Sequence, residues 1–218
     1  MTSAVHERPN TDDMLVVHET IRRNFAELPG LVAGVPGGAA DRVAVVADHF
    51  DLMHDLLQVH HQGEDLLLWP VLAERAPQAG DLVERMQGQH HDLEARLEAA
   101  REAATAWRAG ADAETASALT AALGDLLDVL NAHLAEEERD VLPLAQETMN
   151  VSEWAAMGDH SRAQISPDRI MIVLGSMLDG APQEVVDGML SAMPPPAVEA
   201  WNTMGKPAYD AYRERLLG

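Results

Sequence analysis

The chain has no cysteine, so disulfides, iron–sulfur clusters and thiol catalysis are excluded. Aromatic residues are scarce: two Tyr, two Phe and four Trp among 218 residues. Basic residues are outnumbered, 15 Lys and Arg against 36 Asp and Glu, leaving a formal charge of −21. So acidic a chain repels phosphate backbones and anionic headgroups, and neither nucleic acid nor a membrane is an expected partner. No apolar run approaches the roughly 20 residues of a membrane span. Met1 to Asn10 lack a basic stretch followed by an apolar one, so no signal peptide is read there and a cytoplasmic protein is expected. No segment alternates apolar and polar residues as a half-buried strand does. What the chain does have is 47% hydrophobic residues, enough for a core, and ten histidines.

The pattern is helical throughout. A first helix is expected from Thr11 to about Leu28, with Asp12 and Asp13 in its first turn and Pro29-Gly30 ending it. A glycine-rich loop, Gly30 to Ala40, follows. The second helix is expected from Asp41 to about Ala76, kinked or briefly broken at Pro70. The third runs from about Asp81 to Ala109 and the fourth from about Asp112 to Met149, with Pro143 near its end. Four such helices make an all-α, up-down-up-down four-helix bundle over residues 1–150. Residues 151–218 are punctuated by Ser166-Pro167, Gly175, Gly180-Ala181-Pro182 and Pro194-Pro195-Pro196, and read as a C-terminal extension of three to five short helices.

Three His-x-x-x-Glu pairs stand out: His60/Glu64, His90/Glu94 and His133/Glu137. Residues four apart lie on one helix face, one turn apart. With about 100° per residue, His60 shares the apolar stripe of Met53, Leu57, Glu64 and Leu67, while His61 turns toward the polar side with His54 and Asp65. His90 aligns with Met86, Leu93, Glu94 and Leu97, His133 with Leu126, Leu130 and Glu137, and His18 with Met14, Ile21 and Phe25. Four helices each aim one histidine inward, and three add a glutamate. Burying that many ionisable groups without compensation costs several kcal/mol each, and a bundle that does so usually holds a metal. The spacing His-x3-Glu-x5-Pro recurs at His60/Glu64/Pro70 and His133/Glu137/Pro143, as if the second and fourth helices were equivalent halves of one site.

At these residues the chain resembles the hemerythrin-like (HHE cation-binding) family. The matching stretches are Val17-His18-Glu19, His60-His61-Gln62-Gly63-Glu64-Asp65 with Leu68-Trp69-Pro70, Gln89-His90-His91 with Leu93, and His133 to Glu138 with Leu142-Pro143. They span about Thr11 to Met149, in the order and spacing of the family. The resemblance implies a four-helix bundle with a non-haem di-iron centre, two iron ions joined by an oxo or hydroxo bridge. It implies that His18 and His60 bind one iron, that His90 and His133 bind the other, and that Glu64 and Glu137 bridge them. Where the oxygen-carrying hemerythrins have a second histidine one turn after the third-helix one, this chain has Glu94. The oxygen carriers also end on His-x4-Asp, and His133-x3-Glu137 is the arrangement usual in the wider family.

Glu94 is therefore expected as a seventh ligand. If monodentate it leaves one coordination position for a small ligand, if chelating it closes the site, and if it stays out two positions remain. A further anionic ligand stabilises the ferric state and argues against reversible O2 carriage. The expected function is reaction with or binding of O2, peroxide or NO, in redox defence or sensing, by a monomer or homodimer. The alternative is a non-catalytic iron-binding or sensing protein acting through a partner contact. A ferritin-like oxidase would show inward Glu-x-x-His pairs and a zinc hydrolase His-Glu-x-x-His, and neither occurs. A metal-free acidic bundle is the last reading.

Other polar residues have weaker claims. His49 is expected in the core, too far along the helix from His60 to share its metal. His54, His61 and His91 are expected to be exposed, with His91 the alternative to His90. Arg22 is expected at the rim, near enough to pair with a bridging carboxylate. Glu136 and Glu138 are expected in solvent. His6 and His160 have no role, and Tyr209 and Tyr212 reach the centre only if the extension folds back.

Overall fold

Apolar residues recur every three or four positions through the first two-thirds of the chain, and each such stretch is a helix. The computed structural model describes residues 7–218. His6 and most of the segment read as lacking a leader lie outside them. No strand occurs among the described residues. Helix α1 spans Asp12–Ala33, α2 Ala40–Gly63, α3 Trp69–Arg75, α4 Gly80–Gly110, α5 Ala113–Glu136 and α6 Leu142–Thr148. The π turn Glu64–Leu68 joins α2 to α3, and the π turn Glu137–Val141 joins α5 to α6. The four long helices pack in a ring, α1 on α2 and α5, and α4 on α2 and α5. This is the all-α, up-down-up-down bundle expected.

Two proline expectations change. Pro29 does not end α1, which continues to Ala33. The missing N–H is outweighed because the next turn keeps burying the apolar stripe, with Phe25, Leu28 and Val32 all shielded from solvent. Pro70 and Pro143 do not break their helices either. In each case the strain is taken up just upstream, by one turn of wider helix. The Trp69 N–H donates to the Glu64 carbonyl and the Leu142 N–H to the Glu137 carbonyl, each five residues back. A proline has no N–H for the carbonyl four residues earlier and its ring crowds that carbonyl, so the ladder accommodates one extra residue there.

At the far end of the bundle, Gly38, with φ +80°, turns the α1–α2 loop so that its N–H donates to the Ala111 carbonyl at 3.0 Å. Asp112 caps α5, its side chain accepting from the Thr115 N–H at 2.8 Å.

The chain divides into two compact units, the first ending at Gln164 and the second spanning Ile165–Gly218. Helix α7, Val151–Gln164, thus belongs with the bundle and not with the extension where the sequence put it. The reason is apolar: Trp154 and Met157 join Met14, Trp69, Leu72 and Met149 in one cluster, and the Trp154 Nε1–H donates to Asp13 Oδ1 at 3.0 Å. The second unit holds α8 Pro167–Leu178, α9 Gln183–Ala192, α10 Pro195–Ala200 and α11 Lys206–Leu217, with the π turn Trp201–Gly205 between the last two. Tyr209 lies directly on Gly175 and its hydroxyl donates to Asp179 at 2.7 Å. No helix among the described residues is long and apolar enough to cross a membrane.

Candidate metal centre

Five histidines and two glutamates converge between the helices. His18 comes from α1, His60 and His61 from α2, His90 from α4 and His133 from α5, and Glu64 and Glu137 each open a π turn. They form two donor groups. The first is His18, His60, Glu64 and Glu137, and the second is His61, Glu64, His90 and His133. Within each group one donor atom per residue lies within 4.8 Å of all the others. Both carboxylates face both groups. Glu64 Oε1 is 3.3 Å from His60 Nε2, while its Oε2 is 3.3 Å from His90 Nε2. Glu137 Oε2 lies 3.5 Å from His18 Nε2 and 3.6 Å from His133 Nε2.

These separations are long for hydrogen bonds. All five Nε2 atoms and all four carboxylate oxygens are buried with no hydrogen-bond partner. Both glutamates are fully buried. Orphaned polar atoms at this density are costly unless something else satisfies them. Nitrogen and oxygen donors in two adjacent groups fit cations of the iron, manganese or zinc type.

The local electrostatics agree. Burial pushes Glu64 up to about 8, with neighbouring Glu137 opposing the rise and Asp65 adding to it. Burial raises Glu137 as well, reinforced by Glu64. The imidazoles move the other way. Burial and then neighbouring imidazoles lower His60 and His61, and His133 falls to about 3. His60, His61 and His133 are therefore neutral, with lone pairs free, and the carboxylates hold protons that a cation would replace.

Three of the histidines are held from behind. His18 Nδ1–H donates to Glu138 Oε1 at 2.9 Å, and His90 Nδ1–H to Asp65 Oδ1 at 2.9 Å. A carboxylate only accepts, so the proton sits on Nδ1 and the Nε2 lone pair points inward. Each of these carboxylates directly follows a glutamate of the centre and reaches a histidine on another helix. His133 Nδ1 meets Gln89 Oε1 at 3.0 Å, and the Gln89 amide donates in turn to Glu136, which Arg85 also holds. Glu138 accepts from Arg22 at 2.7 Å. Burial works against ionising Glu138, but the hydrogen bonds from His18 and Arg22 prevail and hold it at about 2.

Six of the seven expected ligand residues meet here: His18, His60, Glu64, His90, His133 and Glu137. Glu94 does not. It is exposed and belongs to neither group. Glu64 and Glu137 are followed six residues on by Pro70 and Pro143 and so open π turns, whereas Ala100 stands at that place after Glu94 and α4 continues regularly. Without Glu94 there is no third carboxylate, and the argument it carried for a ferric centre and against O2 carriage falls.

His61 was expected to be exposed and is 9% exposed. A bundle helix has two neighbours, so two adjacent positions can both face inward. His60 meets His18 on α1 with ring centroids 5.1 Å apart, while His61 stacks on His90 of α4 at 4.3 Å. The signal was present as the His60-His61 pair. Glu136 and Glu138, expected in solvent, are hydrogen-bonded as described, and Arg22 pairs with Glu138, next in sequence to Glu137. His54 is also buried, its Nδ1 3.2 Å from Asp55. His49 is fully buried, and neither it nor the half-buried His160 belongs to a donor group. His91 is exposed.

The family described as hemerythrin HHE cation binding domain matches residues 10–145. No curated protein matches the chain, and no solved structure does.

Proposed function

The chain belongs to the hemerythrin HHE cation-binding family, and from that premise we propose that its bundle holds two iron ions and binds or reacts with O2, peroxide or NO, in redox defence or sensing. The observation that carries this reading is the set of five Nε2 atoms and four carboxylate oxygens, buried, mutually facing and without hydrogen-bond partners. His18 and His60 would hold one ion, and His61, His90 and His133 the other. Glu64, with one oxygen toward each group, would span both, and Glu137 faces imidazoles of both.

Bound iron supplies one-electron chemistry and a coordination position for a small ligand. The remaining work belongs to the chain. Glu138 and Asp65 fix the tautomers of His18 and His90, so the donors need no reorganisation when a cation arrives. Packing excludes bulky ligands, because no member of either group is more than 9% exposed. With five imidazoles and two carboxylates, the donor set has the histidine count of the oxygen carriers, so nothing in it disfavours O2.

A second reading, a sensor without turnover, is favoured by the separate compact unit Ile165–Gly218, which contributes no residue to either donor group. Elemental analysis of protein made with adequate iron tests the first claim. About two irons per chain are expected for a binuclear centre. Zinc alone, one metal or none overturns it. Peroxide turnover by the iron-loaded protein then separates a catalyst from a sensor.

A further inference from the structure

A groove of about 310 Å³ lies between α2 and α4. Its floor is made by His61 and His90, which are also two of the three histidines of the second donor group. Both are at least nine-tenths buried, and both have a buried Nε2 without a hydrogen-bond partner. Its walls carry Asp65, Glu94, His91 and Gln87, and no lysine or arginine lines it. Asp65 is about half exposed and Glu94 is exposed, so both carboxylates meet solvent.

The other flank of the centre has the opposite character. There His18 is backed by Glu138, and the guanidinium of Arg22 covers that carboxylate at 2.7 Å, itself 23% exposed. A cation approaching the first group meets a carboxylate already neutralised by a guanidinium. One approaching the groove meets two carboxylates and then two imidazoles whose buried Nε2 atoms have no partner. Field lines in a cleft lined by one sign of charge concentrate the oppositely charged ion and speed its arrival.

We propose that the groove is the loading port of the centre: a hydrated divalent cation is drawn in by Asp65 and Glu94, sheds water against the groove wall, and passes to His61 and His90. This rests on the two-metal reading above. It gives Glu94 a role outside the ligand set, that of capturing the ion. The port takes divalent cations and rejects small anions, which the carboxylates repel.

The test is the rate at which metal-free protein takes up cobalt(II), followed by its absorption in stopped flow at low ionic strength. Glu94→Lys reverses the charge at the mouth, and Glu184→Lys makes the same change of net charge on exposed α9. Gln87→Trp fills the groove without touching a donor group. Uptake about tenfold slower in Glu94→Lys than in Glu184→Lys is expected, narrowing at high salt, with final metal content equal to wild type. Gln87→Trp slows uptake at every salt concentration. Equal rates in the two charge variants, or a wild-type rate in Gln87→Trp, overturn the port. A wild-type protein that takes up fewer than two metals overturns instead the reading on which the port rests.

Discussion

Glu64 and Glu137 do two things in this molecule, and the residue after each does a third. The glutamates face the donor groups and open the π turns, and Asp65 and Glu138 lock a histidine on a neighbouring helix. The inward glutamates were legible from periodicity, because each lies one turn from a histidine on an apolar stripe. The locking carboxylates were not, because a single-face projection puts the next residue about 100° away and calls it solvent. The same projection hid His61 and promoted Glu94. The two reassignments are separable by experiment. His61→Ala is expected to lower iron from about two toward one per chain, since it strips a nitrogen from the second group only. Glu94→Ala is expected to leave iron content unchanged. Loss of metal in Glu94→Ala with none in His61→Ala would restore the sequence-based assignment.

At the scale of elements, the feature to explain is the shared spacing of helix widening and proline. Glu64 with Pro70, Glu137 with Pro143 and Trp201 with Pro207 each open a π turn six residues before the ring. Pro29, inside α1, has no such turn before it, so proline alone does not dictate the outcome. The sequence showed the repeated spacing and suggested a kink or a break. It did not show a widened turn, because whether a helix breaks or absorbs an extra residue depends on what the next turns bury. Here Leu68, Trp69 and Leu72, and Val141, Leu142 and Ala145, are all buried after the turn. Pro143→Ala returns the N–H and removes the reason for the π turn. The expected result is a metal-free bundle of higher melting temperature that binds iron more weakly, because the Glu137 carboxylate turns away from the centre. Higher stability with unchanged affinity would show that the widened turn does not position Glu137.

At the scale of the whole molecule, the bundle was legible in class and order, and the helix ends were right to about a residue except for α1, which runs past Pro29 to Ala33. The assignment of α7 was not, because Trp154 and Met157 declare their partners only in three dimensions. The buried site also sets the stability of the metal-free protein. Glu64 rises from 4.5 to about 8, so the fold retains a proton that the unfolded chain releases, and stability is lost as pH climbs through that interval. Glu137 acts in the same direction. His133 falls from 6.5 to about 3, so the unfolded chain binds a proton that the fold refuses, and stability is lost as pH drops below 6.5. His60 and His61 add to that loss. The metal-free protein is therefore expected to melt highest near pH 6.5 and lower on both sides. Metal takes the place of the glutamate protons, so the rise in melting temperature on iron loading should grow from pH 6.5 to 8. A loading increment that is flat or shrinking over that range would show that the glutamates are not displaced of their protons.

Each donor group is spread over a long stretch of the bundle sequence. The first begins at His18 and is complete only with Glu137, and the second waits for His133. A ribosome must therefore deliver nearly the whole bundle before either set of donors exists. A nascent chain exposes His18, His60, His61 and Glu64 early but never a full cage, so it cannot trap an ion around a half-made bundle. A product truncated before its fifth helix, or clipped between α2 and α5, carries no intact group. Metal content thus doubles as a certificate of completeness, readable on the finished chain and absent from its fragments.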